Sequence, residues 1–496
     1  MYLPLATAWY LLSAVGFSTV VKAANATFYP TMNMTDTDGN LIQAHGGDII
    51  QSQDSDDTAW YWFGEDKTGE TTSGHFQAVN CYKSADFATW EFVGPVLSPI
   101  EGTKISSEAV VERPKVIYND KNQEYVMWFH SDNSSYGAAM VGVATSGTID
   151  GEYDWRGSFK PFGNDSRDMT VWKDPEDGAA YLIFATSGNA DLQIASLTDD
   201  YYNVSEALYT FRDKYWEAPG VFKIDGTFYL IYSRQDGWTP TDNYYMTASS
   251  MAGPWSEPTL LAPEGAYSYL TQNVSFPPSV QHRCLDRKKK KKKKHHLLTA
   301  CRQAYDIVIQ GSEQTTYLYY GDHWSGNQLS SSTYAFYPVI SNSSGLTLHR
   351  TGGWSLDIET GLWTDLPYTT ITAADSTTAA STLIPCDDAC AGGMAANMTA
   401  EQTFTFTWSG DAGDKVLGIQ YVYDGPKNAF KHIGVAVNGA KVEGNALPET
   451  TRGTTFAQEV PFPATLQEGS EVVLTLLDAD GSEFFIEGVK VYPHLQ

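Results

Sequence analysis

Five short stretches share one pattern and decide the fold: DTAWYWFGE (57–65), QEYVMWFHS (123–131), AAYLIFATS (179–187), TFYLIYSRQ (227–235) and TTYLYYGDH (315–323). Each is a run of aromatic and β-branched residues that ends in small or polar residues, and each follows a turn rich in Asp, Asn or Gly, as β-strands do. Helical periodicity is almost absent. Five such units, repeating at roughly 50–65 residues, predict a five-bladed β-propeller, with an irregular β-sandwich or barrel as the alternative.

The residues after about Trp363 change character. A Thr-, Ala- and Ser-rich stretch (368–383) reads as a linker or an entry strand. Alternating strand-like segments follow, including KVLGIQYVYDG, HIGVAVNG and FFIEGVKVYP, and they predict a β-sandwich of the size of an independent domain. We therefore expect two domains, residues 24–365 and 366–496.

The first 23 residues form an apolar run that ends in small residues, and we interpret residues 1–23 as a secretory signal peptide. A membrane anchor is the alternative. Eight Asn-x-Ser/Thr sequons support export. The prediction is a secreted, extracellular glycoprotein, in which Cys386 and Cys390 are close enough to staple one small loop and Cys81 has no obvious partner.

The segment RCLDRKKKKKKKHHLLTAC (283–301) differs from the rest of the chain in composition, since it contains nine of the 32 Lys and Arg residues. It could be a polyanion-binding loop or a solvated, disordered loop. A retained intron is a third interpretation, because its ends and interior can encode splice-site and branch-like sequences. The segment is excluded from reasoning about the fold.

Composition excludes several classes of function. The 496 residues contain 59 acidic against 32 basic side chains, a formal net charge of −27, which argues against nucleic acid or an anionic membrane as partner. The aromatic fraction of 13% fits a β-rich protein that stacks sugar rings. The sequence contains no HExxH motif, GxSxG motif, P-loop or dinucleotide fingerprint, and no metal constellation.

Carboxylates in aromatic-flanked turns are the candidate catalytic groups: Glu65, Glu112, Asp168 and Glu217. Glycoside hydrolysis needs one protonated carboxyl as donor and a second group that activates water or attacks from the opposite face. An aromatic-lined funnel would raise the donor's pKa by desolvation. Helix capping, Asx turns or exposed charges are the alternative for any single acid.

These motifs resemble glycoside hydrolase family 43, and in particular its fungal exo-β-1,3-galactanase branch. The segments that carry the resemblance are IQAHGGDII (42–50), WYWFGEDK (60–67), VVERPKVIYN (110–119), GSFKPFGNDSRDMTVW (157–172), EAPG (217–220) and TQN (271–273). They occur in the branch's order between residues 33 and 363. The C-terminal part resembles a carbohydrate-binding module of family 35, so the resemblance implies a propeller followed by a jelly-roll module.

The resemblance implies a role for each of nine residues. Glu217 would be the general acid, and Asp168 would orient it and tune its pKa. Gln272 occupies the place of the base, either positioning the water or acting through its imidic acid tautomer, with Glu112 as a fallback. The implied substrate-binding residues are Glu112, Glu65, Tyr136, Arg113, Gln43 and His45.

Three positions depart from the family pattern. The stretch QAHGG lacks the early Asp base of most family 43 members, as this branch does. Asp48 stands where a Gly is expected; we predict that it lies on the strand surface, and the alternative is that it restores a carboxylate. Gln235 and Asp236 replace small polar residues of the branch and could alter the sugar pocket. At 371–375, ITAAD lacks the two carboxylates of the family 35 calcium site, so we predict no cofactor, with calcium there as the alternative.

The predicted function is that of a secreted, inverting exo-glycosidase, releasing galactose from the non-reducing end of β-1,3-galactan, the backbone of arabinogalactan. The predicted partner is a polysaccharide substrate (galactan or arabinogalactan), with no nucleic acid, no membrane and a monomeric state. Two alternatives stay open: another family 43 specificity, such as α-L-arabinofuranosidase or β-xylosidase, and a non-catalytic sugar-binding protein.

Overall fold

The computed structural model describes residues 25–54, 57–71, 75–275, 307–377, 383–386, 393–451 and 457–494. Its helical pieces are α1 (Tyr267–Leu270) and 3-10 turns at Pro161–Gly163, Leu329–Ser331 and Ala373–Asp375. The other regular elements are strands, which confirms the predicted all-β class. Among the described residues, no helix is long and apolar enough to cross a membrane.

Some predicted features fall outside these ranges. The expected signal peptide (1–23), the Lys-rich segment (283–301) and Cys390 lie outside the described residues. Cys386 is disulfide-bonded, and Cys81 is a free, buried thiol.

After a first strand, β1 (Ala26–Phe28), five antiparallel sheets follow along the chain. The first contains β2 (His45–Gln51), β3 (Trp60–Glu65), β4 (Val79–Ser84) and β5 (Glu91–Leu97). The second contains β6 (Ala109–Asn119), β7 (Glu124–Asn133), β8 (Met140–Ser146) and β9 (Asp154–Phe159). The third contains β10 (Met169–Lys173), β11 (Ala180–Thr186), β12 (Asp191–Leu197) and β13 (Val204–Phe211). The fourth contains β14 (Trp216–Ile224), β15 (Thr227–Arg234), β16 (Tyr244–Ala248) and β17 (Thr259–Leu260). The fifth contains β18 (Gln272–Ser275), β19 (Val308–Gln310), β20 (Thr315–His323), β21 (Thr333–Asn342) and β22 (Gly345–Leu348).

The first strand of each of the five sheets is here called its inner strand, and the five inner strands contact one another in a closed ring. The five sheets together with β1 are here called the ring unit. β2 contacts β6, β6 contacts β10, β10 contacts β14, β14 contacts β18, and β18 returns to β2. Each of the five aromatic stretches that predicted the repeat forms the strand next to an inner strand, namely β3, β7, β11, β15 or β20. Residues on the inner strands therefore converge on the middle of the ring.

Aromatic side chains fill the space between the sheets. Trp62, Trp90, Trp128 and Trp354 are almost completely buried, and burying a large apolar side chain stabilises a fold by roughly 1.5–3 kcal/mol. The ends of the ring unit are joined, because β1 pairs with β23 (Trp354–Leu356), which in turn pairs with β24 (Trp363–Asp365). Phe28 on β1 stacks on Trp354 with ring centroids 4.5 Å apart.

The C-terminal unit consists of two antiparallel sheets that share one hydrophobic core. One contains β25 (Thr369–Thr372), β26 (Leu383–Pro385), β27 (Met394–Met398), β29 (Gly413–Tyr423), β32 (Gln458–Leu466) and β34 (Phe484–Pro493). The other contains β28 (Thr403–Thr407), β30 (Ile433–Val437), β31 (Ala440–Lys441) and β33 (Glu471–Leu476). The start of the Thr-rich stretch is an entry strand, because β25 pairs with the last strand, β34.

The two units pack against each other through a small apolar cluster. Tyr29 of the ring unit lies with Leu366, Val416 and Tyr492 in this cluster, and the Tyr29 hydroxyl donates to the backbone carbonyl of Pro493. These contacts fix the position of the C-terminal unit against the ring unit.

Candidate active site

Four of the five inner strands have an irregular register at or beside a residue that the sequence singles out. The register shifts between His45 and Asp48 in β2, between Glu112 and Lys115 in β6, between Glu217 and Gly220 in β14, and between Asn273 and Ser275 in β18. Such bulges redirect side chains and are common beside active sites. Arg113 (φ 53°) and Ala218 (φ 50°) take left-handed backbone conformations within two of them, a strain that functional sites often retain.

Glu217 lies on β14, in contact with Gln272 of the neighbouring inner strand. Its Oε1 accepts a hydrogen bond of 2.7 Å from Nε2 of Gln272. Burial raises the pKa of Glu217 well above its usual value, and the charge of Asp168 raises it further, against the opposing effect of Arg113. A carboxyl with a raised pKa retains its proton and can donate it, as a general acid must.

Asp168, immediately before β10, is held beside Glu217 by two donors. Its Oδ2 lies 2.8 Å from Nη2 of Arg113 and accepts a hydrogen bond of 3.0 Å from the backbone N–H of Ala218. Because Ala218 follows Glu217 directly, this bond ties Asp168 to the strand that carries the candidate acid. The Asp168 side chain is 22% exposed.

Gln272 on β18 has partners for both ends of its amide. Its Oε1 accepts from Nη2 of Arg113 at 2.9 Å and from Nε1 of Trp324 at 3.0 Å. Its Nε2 donates to Glu217 and, at 3.4 Å, to the hydroxyl of Ser233. The amide orientation is therefore fixed, with the oxygen toward the donors Arg113 and Trp324 and the nitrogen toward the candidate acid.

Glu112 on β6 belongs to a buried polar chain. Its Oε1 accepts from the Tyr136 hydroxyl at 2.7 Å, and its Oε2 accepts from Nδ1 of His130 at 3.1 Å. The other ring nitrogen of His130 lies 3.0 Å from Asp132. Burial disfavours the charged form of both Glu112 and His130. The hydrogen bond and the attraction between their charges outweigh this effect, so the pKa of Glu112 is lowered to about 2 and that of His130 is raised to about 9.

Glu65 is a buried carboxylate with a buried counter-charge. Its Oε2 lies 2.7 Å from Nζ of Lys67, and its Oε1 accepts from the backbone N–H of Arg113 at 2.8 Å. This second bond anchors the left-handed residue of the β6 bulge to the first sheet. Glu65 therefore supports Arg113, which reaches both Asp168 and Gln272.

The remaining predicted contact residues are Gln43, just before β2, and His45, its first residue. The side chain of Gln43 bonds to the backbone of Lys67 and of Ser330. His45 is fully buried, with Nδ1 3.1 Å from Asp322 and its ring stacked on Tyr334. The packing that holds the His45 ring leaves none of it exposed, and its contact with the sugar stays a prediction.

Asp48 also differs from its predicted place on the strand surface. It is 4% exposed, and its Oδ2 accepts from the backbone N–H of Val116 at 3.3 Å. Its charge acts on the buried Lys115, which itself donates to the carbonyl of Gly46. Asp48 therefore belongs to the packing between the first two sheets.

Sequence reasoning missed three side chains of this network: His130, Lys67 and Trp324. His130 lies inside one of the five repeats, directly opposite Glu112 in the β6–β7 register. Pairing each inner strand with the strand that follows it would have revealed this contact. Within the described part of the chain, no group of three His, Cys, Asp or Glu side chains is placed to hold a metal ion.

The chain is similar to known glycoside hydrolases. Residues 48–258 match the family model described as glycosyl hydrolases family 43. The chain is similar to an exo-β-1,3-galactanase from Phanerochaete chrysosporium solved with β-1,3-galactotriose, at 33% identity, a TM-score of 0.80, and 94% and 100% coverage of the two chains.

Two further similarities are more limited. A putative exo-β-1,3-galactanase from Bifidobacterium bifidum is 30% identical, with a TM-score of 0.53, 66% of this chain covered and 97% of the other. A xylan 1,3-β-xylosidase from a Vibrio species is 40% identical over 70 residues, which are 13% of this chain and only 11% of that relative.

Proposed function

The chain belongs to glycosyl hydrolases family 43 and is a glycoside hydrolase, and from this premise we propose that it releases galactose from the non-reducing end of β-1,3-galactan with inversion. The observation that carries the proposal is the likeness, over nearly all of this chain and all of the other, to an exo-β-1,3-galactanase solved with β-1,3-galactotriose. A structure of the same enzyme with galactose agrees with galactose as the released sugar.

In the proposed reaction, Glu217 gives its proton to the glycosidic oxygen while the bond from that oxygen to the anomeric carbon breaks. A water molecule attacks the anomeric carbon from the opposite face and loses a proton, which yields α-galactose from a β-linkage. The raised pKa of Glu217 and the bond that holds it to Gln272 support the role of acid. Asp168 keeps Glu217 oriented and protonated.

Gln272 is the proposed positioning group for the water. An ordinary amide is too weak a base to remove the proton. The imidic acid tautomer of Gln272 would accept it on nitrogen, but that tautomer carries a proton on Oε1, which here faces the donors Arg113 and Trp324. The fallback base, Glu112, fits less well, because its pKa of about 2 makes it a poor proton acceptor. Glu112 and Tyr136 are better suited to bind the terminal galactose.

The proposal extends to the rest of the molecule. The closed ring of five inner strands supports a five-bladed propeller, and two sheets around one core support a jelly-roll carbohydrate-binding module. A net charge of −27 and eight sequons support a secreted, monomeric glycoprotein that acts on polysaccharide. We propose no cofactor, since at the possible calcium site Thr372 and Asp375 bond to each other in a capping box.

The test is to incubate the full chain with β-1,3-galactan and follow the first anomer released by proton NMR. We expect α-galactose to appear before mutarotation, and no galactose from Glu217→Gln, which keeps the side-chain shape but carries no acidic proton. Xylan and arabinan serve as parallel substrates. Early β-galactose would refute inversion, and release of xylose or arabinose without galactose would refute the galactan specificity.

Binding measurements on the wild type and on Glu217→Gln distinguish an enzyme from a sugar-binding protein that has no activity. Glu217→Gln should still bind β-1,3-galactotriose in calorimetry if the site is catalytic and intact. Binding by a folded wild-type chain that releases no sugar from any of these glycans would overturn the enzymatic proposal.

A further inference from the structure

The loop between β15 and β16 is linked to the candidate acid by direct contacts. Trp238 in this loop packs edge-on against Trp324, with ring centroids 5.0 Å apart. Trp324 donates to Oε1 of Gln272, and Gln272 donates to Glu217. A displacement of Trp238 would therefore reach the Gln272–Glu217 pair through two neighbouring side chains.

The C-terminal unit contacts this loop through residues 425–428, here called the module turn. Nζ of Lys427 lies 2.5 Å from Oδ1 of Asp236. Oδ1 of Asn428 accepts a hydrogen bond of 2.8 Å from the Thr239 hydroxyl. One residue on each side of Trp238, Asp236 before it and Thr239 after it, is thus bound by the C-terminal unit.

The module turn also contacts the loop that follows Trp324. Nδ2 of Asn327 donates to the backbone carbonyl of Asn428 at 2.6 Å. A Cβ added at Gly326 would lie 2.8 Å from Cγ of Asn428 and 3.1 Å from Cβ of Trp238. Gly326 is therefore enclosed between Asn428 and Trp238, and the three segments fit together closely.

We propose that the module turn is a positioning element of the active site: Asn428 holds Trp238 against Trp324 and so keeps Gln272 and Glu217 in their working geometry. This inference rests on the proposed function and assigns the C-terminal unit a second role besides binding polysaccharide. Asn428 acts through Thr239 and Gly326, since Asn428 lies in the other unit and is linked to the acid only through these neighbours.

The test variant is Asn428→Gly. Glycine adopts the left-handed conformation of this position (φ 59°) without strain but removes the side chain. The matched control is Asn438→Gly, which alters an Asn of the same unit with φ 52° whose side chain bonds to Ser470 and Glu471. The substrate is β-1,3-galactobiose, which is too short to bridge the catalytic and polysaccharide-binding surfaces.

We expect Asn428→Gly to lower kcat about tenfold, because small displacements of catalytic groups are costly, and to leave KM within about twofold. Asn438→Gly should match the wild type. An unchanged kcat on galactobiose, even with a raised KM on galactan, would show that the turn serves only polysaccharide binding and would overturn the proposal.

The ion pair gives a second readout that a purely structural role would not move. The charged groups that act on Glu217 are Asp168 and Asp236, which raise its pKa, and Arg113, which lowers it. Lys427→Met should move the alkaline limb of kcat/KM to higher pH and Asp236→Asn to lower pH. Both shifts should shrink in about 0.5 M salt, because the pair is partly exposed and therefore screened. An identical alkaline limb in the wild type and both variants would contradict an action of the Lys427–Asp236 pair on Glu217.

The two proposals fail in distinguishable ways. If the proposed function is wrong, the wild type itself releases no galactose from galactobiose. The positioning role can still be decided by a crystal structure of Asn428→Gly, in which Trp238 should leave its contact with Trp324. An unmoved Trp238 would overturn the inference whatever the activity.

Discussion

In the proposed mechanism, Asp168 both orients Glu217 and keeps it protonated. Its Oδ2 is shared by Arg113 and the backbone of Ala218, which fixes a carboxylate beside Glu217. Arg113 draws Asp168 into place, yet its own positive charge lowers the pKa of Glu217. The burial of Glu217 and the charge of Asp168 must together exceed that effect for the proton to be retained.

The first prediction concerns Asp168→Asn, which preserves shape and removes the charge. Without the negative charge, the pKa of Glu217 falls, so the acid loses its proton at lower pH. We expect the alkaline limb of the kcat/KM profile on galactobiose to move to lower pH, and kcat at its optimum to fall at least about tenfold. Asp165→Asn, at an acid paired instead with Lys160, is the control. An alkaline limb that stays in place would contradict the role of Asp168.

His130 is a buried cation between two carboxylates, and its contribution to stability depends on pH. Its pKa is raised from 6.5 to about 9 in the folded protein. A raised pKa means that the stabilisation is complete below pH 6.5 and is lost as pH rises through about 9. The corresponding free energy is about 3 kcal/mol for this shift.

The second prediction is therefore that His130→Gln destabilises the protein most at about pH 6. The difference in free energy of unfolding between wild type and variant should narrow by about 3 kcal/mol between about pH 6 and about pH 9.5. Urea denaturation at a series of pH values measures it. A difference that is constant with pH would show that His130 is neutral in the folded state.

At the scale of strands, the pairing register between each inner strand and the strand beside it determines which side chains meet in the candidate site. In four sheets, the residue opposite an inner-strand candidate site residue is polar: Glu65 faces His45, His130 faces Glu112, Ser233 faces Glu217, and Asp322 faces Gln272. These four polar residues come at or near the ends of the aromatic repeats. The repeats therefore supply both the hydrophobic strand and the polar partner of the inner strand.

This register explains what the sequence could and could not predict. The repeated strands were recognisable because aromatic runs bounded by turns are a local signal, and the acids were recognisable because they follow such turns. The contacts of Glu112 and Gln272 depend on pairing between strands, so their partners, His130 and Trp324, were missed. Asp48 was misplaced for the same reason, since local alternation does not show which side of an irregular strand is covered.

The third prediction tests the close packing of β2 on β3. A Cβ added at Gly47 would lie 1.7 Å from the carbonyl oxygen of Phe63, a backbone atom that cannot move aside cheaply. We expect Gly47→Ala to destabilise the protein by about 2 kcal/mol or more. Gly147→Ala is the control, because a Cβ there meets no atom within 4 Å. Equal melting temperatures for the two variants would contradict so close an approach of the two strands.

At the scale of the whole molecule, the two units enclose a cleft of about 1060 Å³. His323 from the ring unit and Glu449 from the C-terminal unit line it, with Nε2 and Oε2 3.7 Å apart. Burial lowers the pKa of His323 to about 4 and raises that of Glu449 to about 8. Near neutral pH both groups are therefore uncharged, and the contact between His323 and Glu449 is not an ion pair.

The last prediction follows from that state of Glu449. Its pKa rises from 4.5 to about 8 on folding, so between these values the folded protein holds a proton that the unfolded chain has released, and stability falls as pH rises. Above pH 6.5 His323 is mostly neutral in both states, so Glu449 can be followed there without its interference. Between about pH 6.5 and about pH 8 the wild type should lose about 2 kcal/mol more than Glu449→Gln, measured by urea denaturation. Parallel losses in both proteins would mean that Glu449 is already ionised beside His323 in the folded protein.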